Sequence, residues 1–114
     1  MNGLARFIAD VTALGMTVEA RGALVLVTLD VGHPAAPELR LVATDPPADF
    51  PLTPPHWLHL PKRFVLGPDG GRDSELGSDW RRWSRSHPKW PGGANPARPW
   101  VAHARSLYLS AQVI

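Results

Sequence analysis

Asp49-Phe50-Pro51-Leu52-Thr53-Pro54-Pro55-His56-Trp57-Leu58-His59-Leu60-Pro61 is the stretch on which the reading of the fold turns. Asp45 to Pro55 holds five prolines in eleven residues. Proline has no N–H to donate and a fixed φ, so this stretch can be neither helix nor central strand. It predicts a stiff, ordered crossing with Phe50 as its apolar anchor. His56–Leu60 then reads as a short strand near the sheet edge, with Phe50 and Trp57 largely buried.

Upstream, Leu4, Phe7, Ile8, Val11 and Leu14 recur at the spacing of an amphipathic helix. Asn2 is suited to cap its start and Gly15 to end it in the left-handed region. Val18 and Ala20 alternate with Glu19 and Arg21, which predicts a strand. Arg21-Gly22 turns the chain into Ala23–Val31, nearly continuous in aliphatic residues and so a central strand. Glu38–Thr44 reads as a third strand after the loop Gly32 to Pro37.

Downstream, Lys62–Leu66 runs into the turn Gly67-Pro68-Asp69-Gly70-Gly71. Arg72 to Gly93 has no clear period, only tryptophans among arginines. Asn95-Pro96 opens a last helix, with Val101, Ala104, Leu107, Tyr108 and Ala111 as its buried stripe. The expected class is α+β, one domain over residues 1–114. Its expected parts are an N-terminal helix, a four-stranded antiparallel meander, an irregular loop and a C-terminal helix.

Composition narrows the function. The chain has no cysteine, which excludes disulfides, thiolate catalysis and cysteine-ligated zinc. No apolar run reaches the length of a membrane span, and Arg6 and Asp10 interrupt the N-terminal apolar stretch, so the expected compartment is the cytoplasm, away from membranes. His56 and His59 would point to opposite faces of a strand, and no metal-ligand spacing or phosphate loop is present; no metal or cofactor is expected. Residues 1–57 hold 3 Lys/Arg against 6 Asp/Glu, and residues 58–114 hold 9 against 4. The basic half suits an acidic protein partner better than nucleic acid, because the net charge is only +2.

Phe50-Pro51-x-x-Pro54-Pro55, followed by Trp80-Arg81-Arg82-Trp83-Ser84-Arg85-Ser86-His87-Pro88-Lys89-Trp90-Pro91-Gly92, resembles the ubiquitin-conjugating-enzyme fold, in particular its divergent prokaryotic members. The resemblance spans roughly residues 2–111. It implies a transferase of a bacterial ubiquitin-like conjugation pathway, of the kind found in antiphage-defence operons. The implied partners are a ubiquitin-like modifier protein, an ATP-dependent activating enzyme and an acceptor protein.

In that family a cysteine carries the modifier as a thioester. Its position falls here on Ser74, in Gly71-Arg72-Asp73-Ser74, with Ser78 the next choice. The resemblance therefore implies an oxyester carrier on serine, a native cysteine replaced by serine, or a non-catalytic module that presents a modifier or another protein. A serine needs a base to react at neutral pH. His87 is the preferred base, with Asp79, Asp73 and His59 as other helpers, and Ser84 or Ser86 beside His87 as an alternative site. Trp83, Ser84, Arg85 and Trp90 are the expected partner-binding residues. The simpler role for the tryptophans is to anchor core and loop.

Overall fold

The computed structural model describes residues 2–87, 89–90 and 93–114. Pro88, Pro91 and Gly92 of the Trp-rich run lie outside the described residues. The elements are α1 (Gly3–Ala13), β1 (Val18–Arg21), β2 (Leu24–Thr28), β3 (Leu41–Thr44), β4 (Trp57–Pro61), β5 (Phe64–Val65), β6 (Arg72–Ser74), β7 (Gly77–Ser84), α2 (Ala97–Ser110) and β8 (Gln112–Val113). Six strands form one antiparallel sheet in the order β1-β2-β3-β4-β7-β6, and β5 pairs with β8 separately.

Helix α1 forms for the reasons its sequence suggests. Asn2 Oδ1 accepts the Ala5 N–H at 2.8 Å, and Gly15 takes φ +85° just past the helix end. Phe7 and Val11 are fully buried. Phe7 meets Phe50 and Trp100 edge-on, at ring-centroid distances of 5.3 and 5.0 Å. One ring thus ties α1 to the proline crossing and to α2. Gly3 lies so close to the crossing that a Cβ there would collide with the Pro47 carbonyl. Its N–H instead donates to Ala48 O at 3.1 Å.

In α2, Trp100, Val101, Ala104 and Tyr108 are buried. Asn95 acts at both helices: its Oδ1 accepts the Ala97 N–H at 3.0 Å, and its Nδ2 donates to Asp10 O at 2.9 Å. Both helices pack on one face of the sheet. Period-two alternation sends Val25, Val27, Val42, Leu58, Leu60 and Trp83 into that core. The opposite face carries a row running across four strands in register, Leu26, Ala43, His59 and Arg82.

The α+β class and its two helices follow the sequence reading; three details differ. The expected irregular segment is regular over Arg72–Ser84, where β6 and β7 form a hairpin on the sheet. Periodicity fails there because β7 reads Gly-Ser-Asp-Trp-Arg-Arg-Trp-Ser, with its tryptophans three apart and polar residues on both faces, so no period of two appears. The sheet therefore has six strands instead of four. Strand β4 is internal, since β7 covers the side expected to be near the edge. Phe50 is buried, but Trp57 is only half-buried, on the face away from the helices under the Arg82 guanidinium (4.3 Å to the ring centroid).

Phe7→Ala should cost about 3–5 kcal/mol, because it opens a cavity between three elements. Urea unfolding followed by tryptophan fluorescence checks this; a loss below about 1 kcal/mol would contradict the packing described.

Candidate functional site

The polar centre of the far face is built on β4. His59 is fully buried, although its side chain points away from the helices. Its Nδ1 lies 2.8 Å from Ser74 Oγ, and its Nε2 lies 3.7 Å from Asp45 Oδ1. Asp45 stands at the end of β3, one residue past Thr44, at the first step of the proline crossing.

Ser74 belongs to β6, and β7 lies between β6 and β4. In a flat sheet, strands two places apart are separated by roughly 9.5 Å. A 2.8 Å bond across that gap requires the hairpin to curl over the face. The register slips between Asp73 and Ser74, as in a β-bulge, and Gly77 takes φ +117° at the turn. Gly71, with φ +70°, sits against the Trp83 indole, where a Cβ would lie 2.9 Å from Cε2. These irregularities aim Ser74 at His59.

The hydrogen-bond directions are consistent. The Leu76 N–H donates to Ser74 Oγ at 3.1 Å, so that oxygen is an acceptor on one side. Its O–H is left to donate to His59 Nδ1, which places the imidazole proton on Nε2, facing the Asp45 carboxylate. Asp45 Oδ1 and His59 Nε2 are both buried, and within the protein neither has another partner among the described residues. At 3.7 Å they are beyond hydrogen-bond length, with the Asp45 carboxylate facing the Nε2–H of this tautomer. An open groove of about 540 Å³, lined by Asp73, Ser74, Gly77, Ser78, Trp80 and Arg81, meets the serine. Carboxylate, imidazole and hydroxyl thus stand in series, and Ser74 is among the residues lining a solvent-facing groove.

The remaining expected residues are distributed otherwise. The His87 ring is held by backbone: Nε2 donates to Pro99 O at 3.3 Å and Nδ1 accepts the Lys89 N–H at 3.3 Å. It is not bonded to Ser74, and His59 takes the place expected for it. Asp79 is 87% exposed, 3.6 Å from Lys62 Nζ, and does not line the Ser74 groove. Asp73 points outward and pairs with Arg81 at 2.7 Å. Ser78 lines the groove beside Ser74.

Of the expected partner-binding residues, Trp83 is buried in the core. Trp90 pins the loop to the crossing, its indole N–H donating to Pro51 O at 2.7 Å. Ser84 and Arg85 are at the surface. Ser84 Oγ is bonded to His56 Nε2, whose Nδ1 lies 3.2 Å from Ser86 Oγ. The alternative serine site therefore has His56, not His87, as its neighbour.

Among the described residues no group of three or more His, Asp or Glu is arranged to hold a metal ion, and no helix is long and apolar enough to cross a membrane. Comparison with family models, curated proteins and solved structures gives no match. Asp45 is the residue sequence reasoning missed. In the sequence it is only the first residue of the proline-rich stretch, immediately after the third expected strand, and no local pattern marks it.

His87 also stacks beside His103, ring centroids 4.7 Å apart. Burial, and then the His87 charge, push His103 below the ordinary histidine value of 6.5, against the opposing effect of a backbone group at Arg85. Between the lowered value and 6.5 the unfolded chain binds more protons than the folded one. Stability from this group is therefore complete above about pH 6.5 and is lost as pH falls through the folded value. Urea unfolding of wild type and His103→Gln between about pH 5 and pH 7 should show a shallower acid loss in the variant.

Proposed function

We propose that this protein is an acyl-accepting transferase of a ubiquitin-like conjugation pathway, with the divergent conjugating-enzyme fold that its sequence resembles. Ser74 takes the place of the family's cysteine. The observation that carries this reading is the series Asp45, His59, Ser74, opening on a groove. The helix, antiparallel sheet, proline crossing and closing helix are compatible with it.

In the proposed step, Ser74 Oγ attacks the carbonyl carbon of a modifier's C-terminal thioester held on an activating enzyme. Its proton passes to His59 Nδ1 as the C–O bond forms. The C–S bond breaks, and His59 returns the proton to the departing thiolate. The product is an oxyester on Ser74. An acceptor amine then attacks the ester carbonyl, giving a proton to His59 Nδ1 as the C–N bond forms; the C–O bond to Ser74 breaks as His59 passes that proton to the departing oxygen. Asp45 holds the imidazole in the reactive tautomer and offsets its positive charge while it is protonated. The Ser78 hydroxyl, in the same groove, supplies a donor for the developing oxyanion. Activation by ATP belongs to the partner enzyme.

One observation favours the second reading, a non-catalytic module that presents a modifier. Ser74 Oγ also accepts the Leu76 N–H, which is the bond a purely structural serine makes at a hairpin turn. Chemistry separates the two.

Acylation with an activated ester such as p-nitrophenyl acetate, followed by peptide mass mapping, should place the acyl group on Ser74. With a cognate activating enzyme, ATP and modifier, intact mass should show an adduct stable to thiol reductant and cleaved by mild hydroxide. Ser74→Ala should abolish both adducts with the fold retained, and Ser74→Cys should give a thiol-sensitive one. Asp45→Asn should slow acylation by about tenfold or more, and His59→Gln by about a hundredfold. Unchanged acylation in Ser74→Ala would assign the protein to the presenting module.

A further inference from the structure

A second feature lies on the other side of the molecule, between the end of α1 and the first turns of α2. It is a groove of about 530 Å³. Leu14, Met16 and Val101 give it an apolar floor, and Arg98, Arg105 and Asp30 form its rim. Leu14 and Met16 are only partly buried against the core, so the floor is left open to a partner.

The charge at this rim is positive. Arg98 is exposed and forms no salt bridge among the described residues. Arg105 contacts one oxygen of Asp30, through Nη2 at 2.8 Å and Nε at 3.2 Å, and Asp30 itself is 67% exposed. One acid therefore answers two guanidinium groups. No acidic residue follows Asp79 in the chain, so α2 offers none to complete the balance.

The spacing identifies what would fit. Arg98 and Arg105 are seven residues apart on α2, about 10 Å along the axis and on one side of the helix. Ala102 lies between them and is exposed, leaving room for close approach. An amphipathic helix with carboxylates at i and i+7 has the same span. Its i+3 and i+4 side chains project from the same face, between the two acids.

We propose that this groove docks an acidic amphipathic helix of a partner protein. Its two carboxylates would pair with Arg98 and Arg105, and leucine-sized side chains between them would cover Leu14, Met16 and Val101. Bidentate geometry suits arginine to this task. The surface is separate from Ser74 and does not depend on the acyl-transfer reading.

A fluorescent helical peptide of roughly 18 residues, with Glu, Leu, Leu and Glu at i, i+3, i+4 and i+7, serves as the probe. Anisotropy against the full chain should show binding that weakens as salt rises. Amide shift mapping should place the peptide at residues 13–16 and 98–105. Arg98→Glu should weaken binding by about tenfold or more, and Ala102→Glu should do the same, with helix content unchanged by circular dichroism. Absence of binding would overturn the proposal. So would shifts confined to residues 72–85, full affinity in Arg98→Glu, or equal affinity for a peptide with Lys in place of both Glu residues.

Discussion

The pairing of Trp57–Pro61 with Trp80–Ser84 is the contact from which both faces of this protein follow. It sets Leu58 opposite Trp83 and, one step along, His59 opposite Arg82. The first pair points into the helices and completes the core; the second points away and begins the polar centre. A slip of one residue would exchange the faces, turning Arg82 into the core and exposing Trp83. The apolar demand of the helix side therefore holds the register on which the Ser74 site depends.

That site is an unusual use of a sheet face. A buried histidine outside the main apolar core is costly unless its nitrogens are answered. Ser74 answers one directly, and Asp45 faces the other across 3.7 Å. The hairpin must curl to deliver Ser74, and the register shift and Gly77 supply that curl. The same geometry leaves Ser74 lining a groove while the imidazole of His59 is fully buried. On the proposed reading, a shielded imidazole beside a serine that lines a groove is an arrangement suited to acyl transfer.

The proline-rich stretch over residues 49–61 and the tryptophan-rich run that begins at Trp80 meet in space through ordinary hydrogen bonds. Trp90 closes on Pro51, His56 on Ser84, and the Arg85 N–H on the His56 carbonyl at 3.1 Å. Tryptophans that resembled a recognition surface are largely structural. Trp83 fills the core, Trp100 packs on Phe7, and Trp90 fastens a loop. These arginines serve two regions: Arg81 and Arg82 brace the hairpin through Asp73 and Glu75, while Arg98 and Arg105 border the α1–α2 groove.

Local signals decided much of the architecture. The helical stripe with Asn2 before it, the aliphatic run of β2 and the prolines before β4 each act within a few residues, so their consequences are legible in the chain. Ser74 was pointed to by the resemblance to the conjugating-enzyme pattern, not by a local signal, and nothing local named its partner. The strand character of Arg72–Ser84 was hidden, because pairing to β4 supplies the stability that its own pattern does not advertise. The roles of His59 and Asp45 depended on register, on the curl of the hairpin and on which face of β4 the helices leave free. Those are properties of contacts between residues 14 to 29 positions apart, and a linear pattern carries no record of them. Only tertiary structure could replace His87 with His59 as the partner of Ser74.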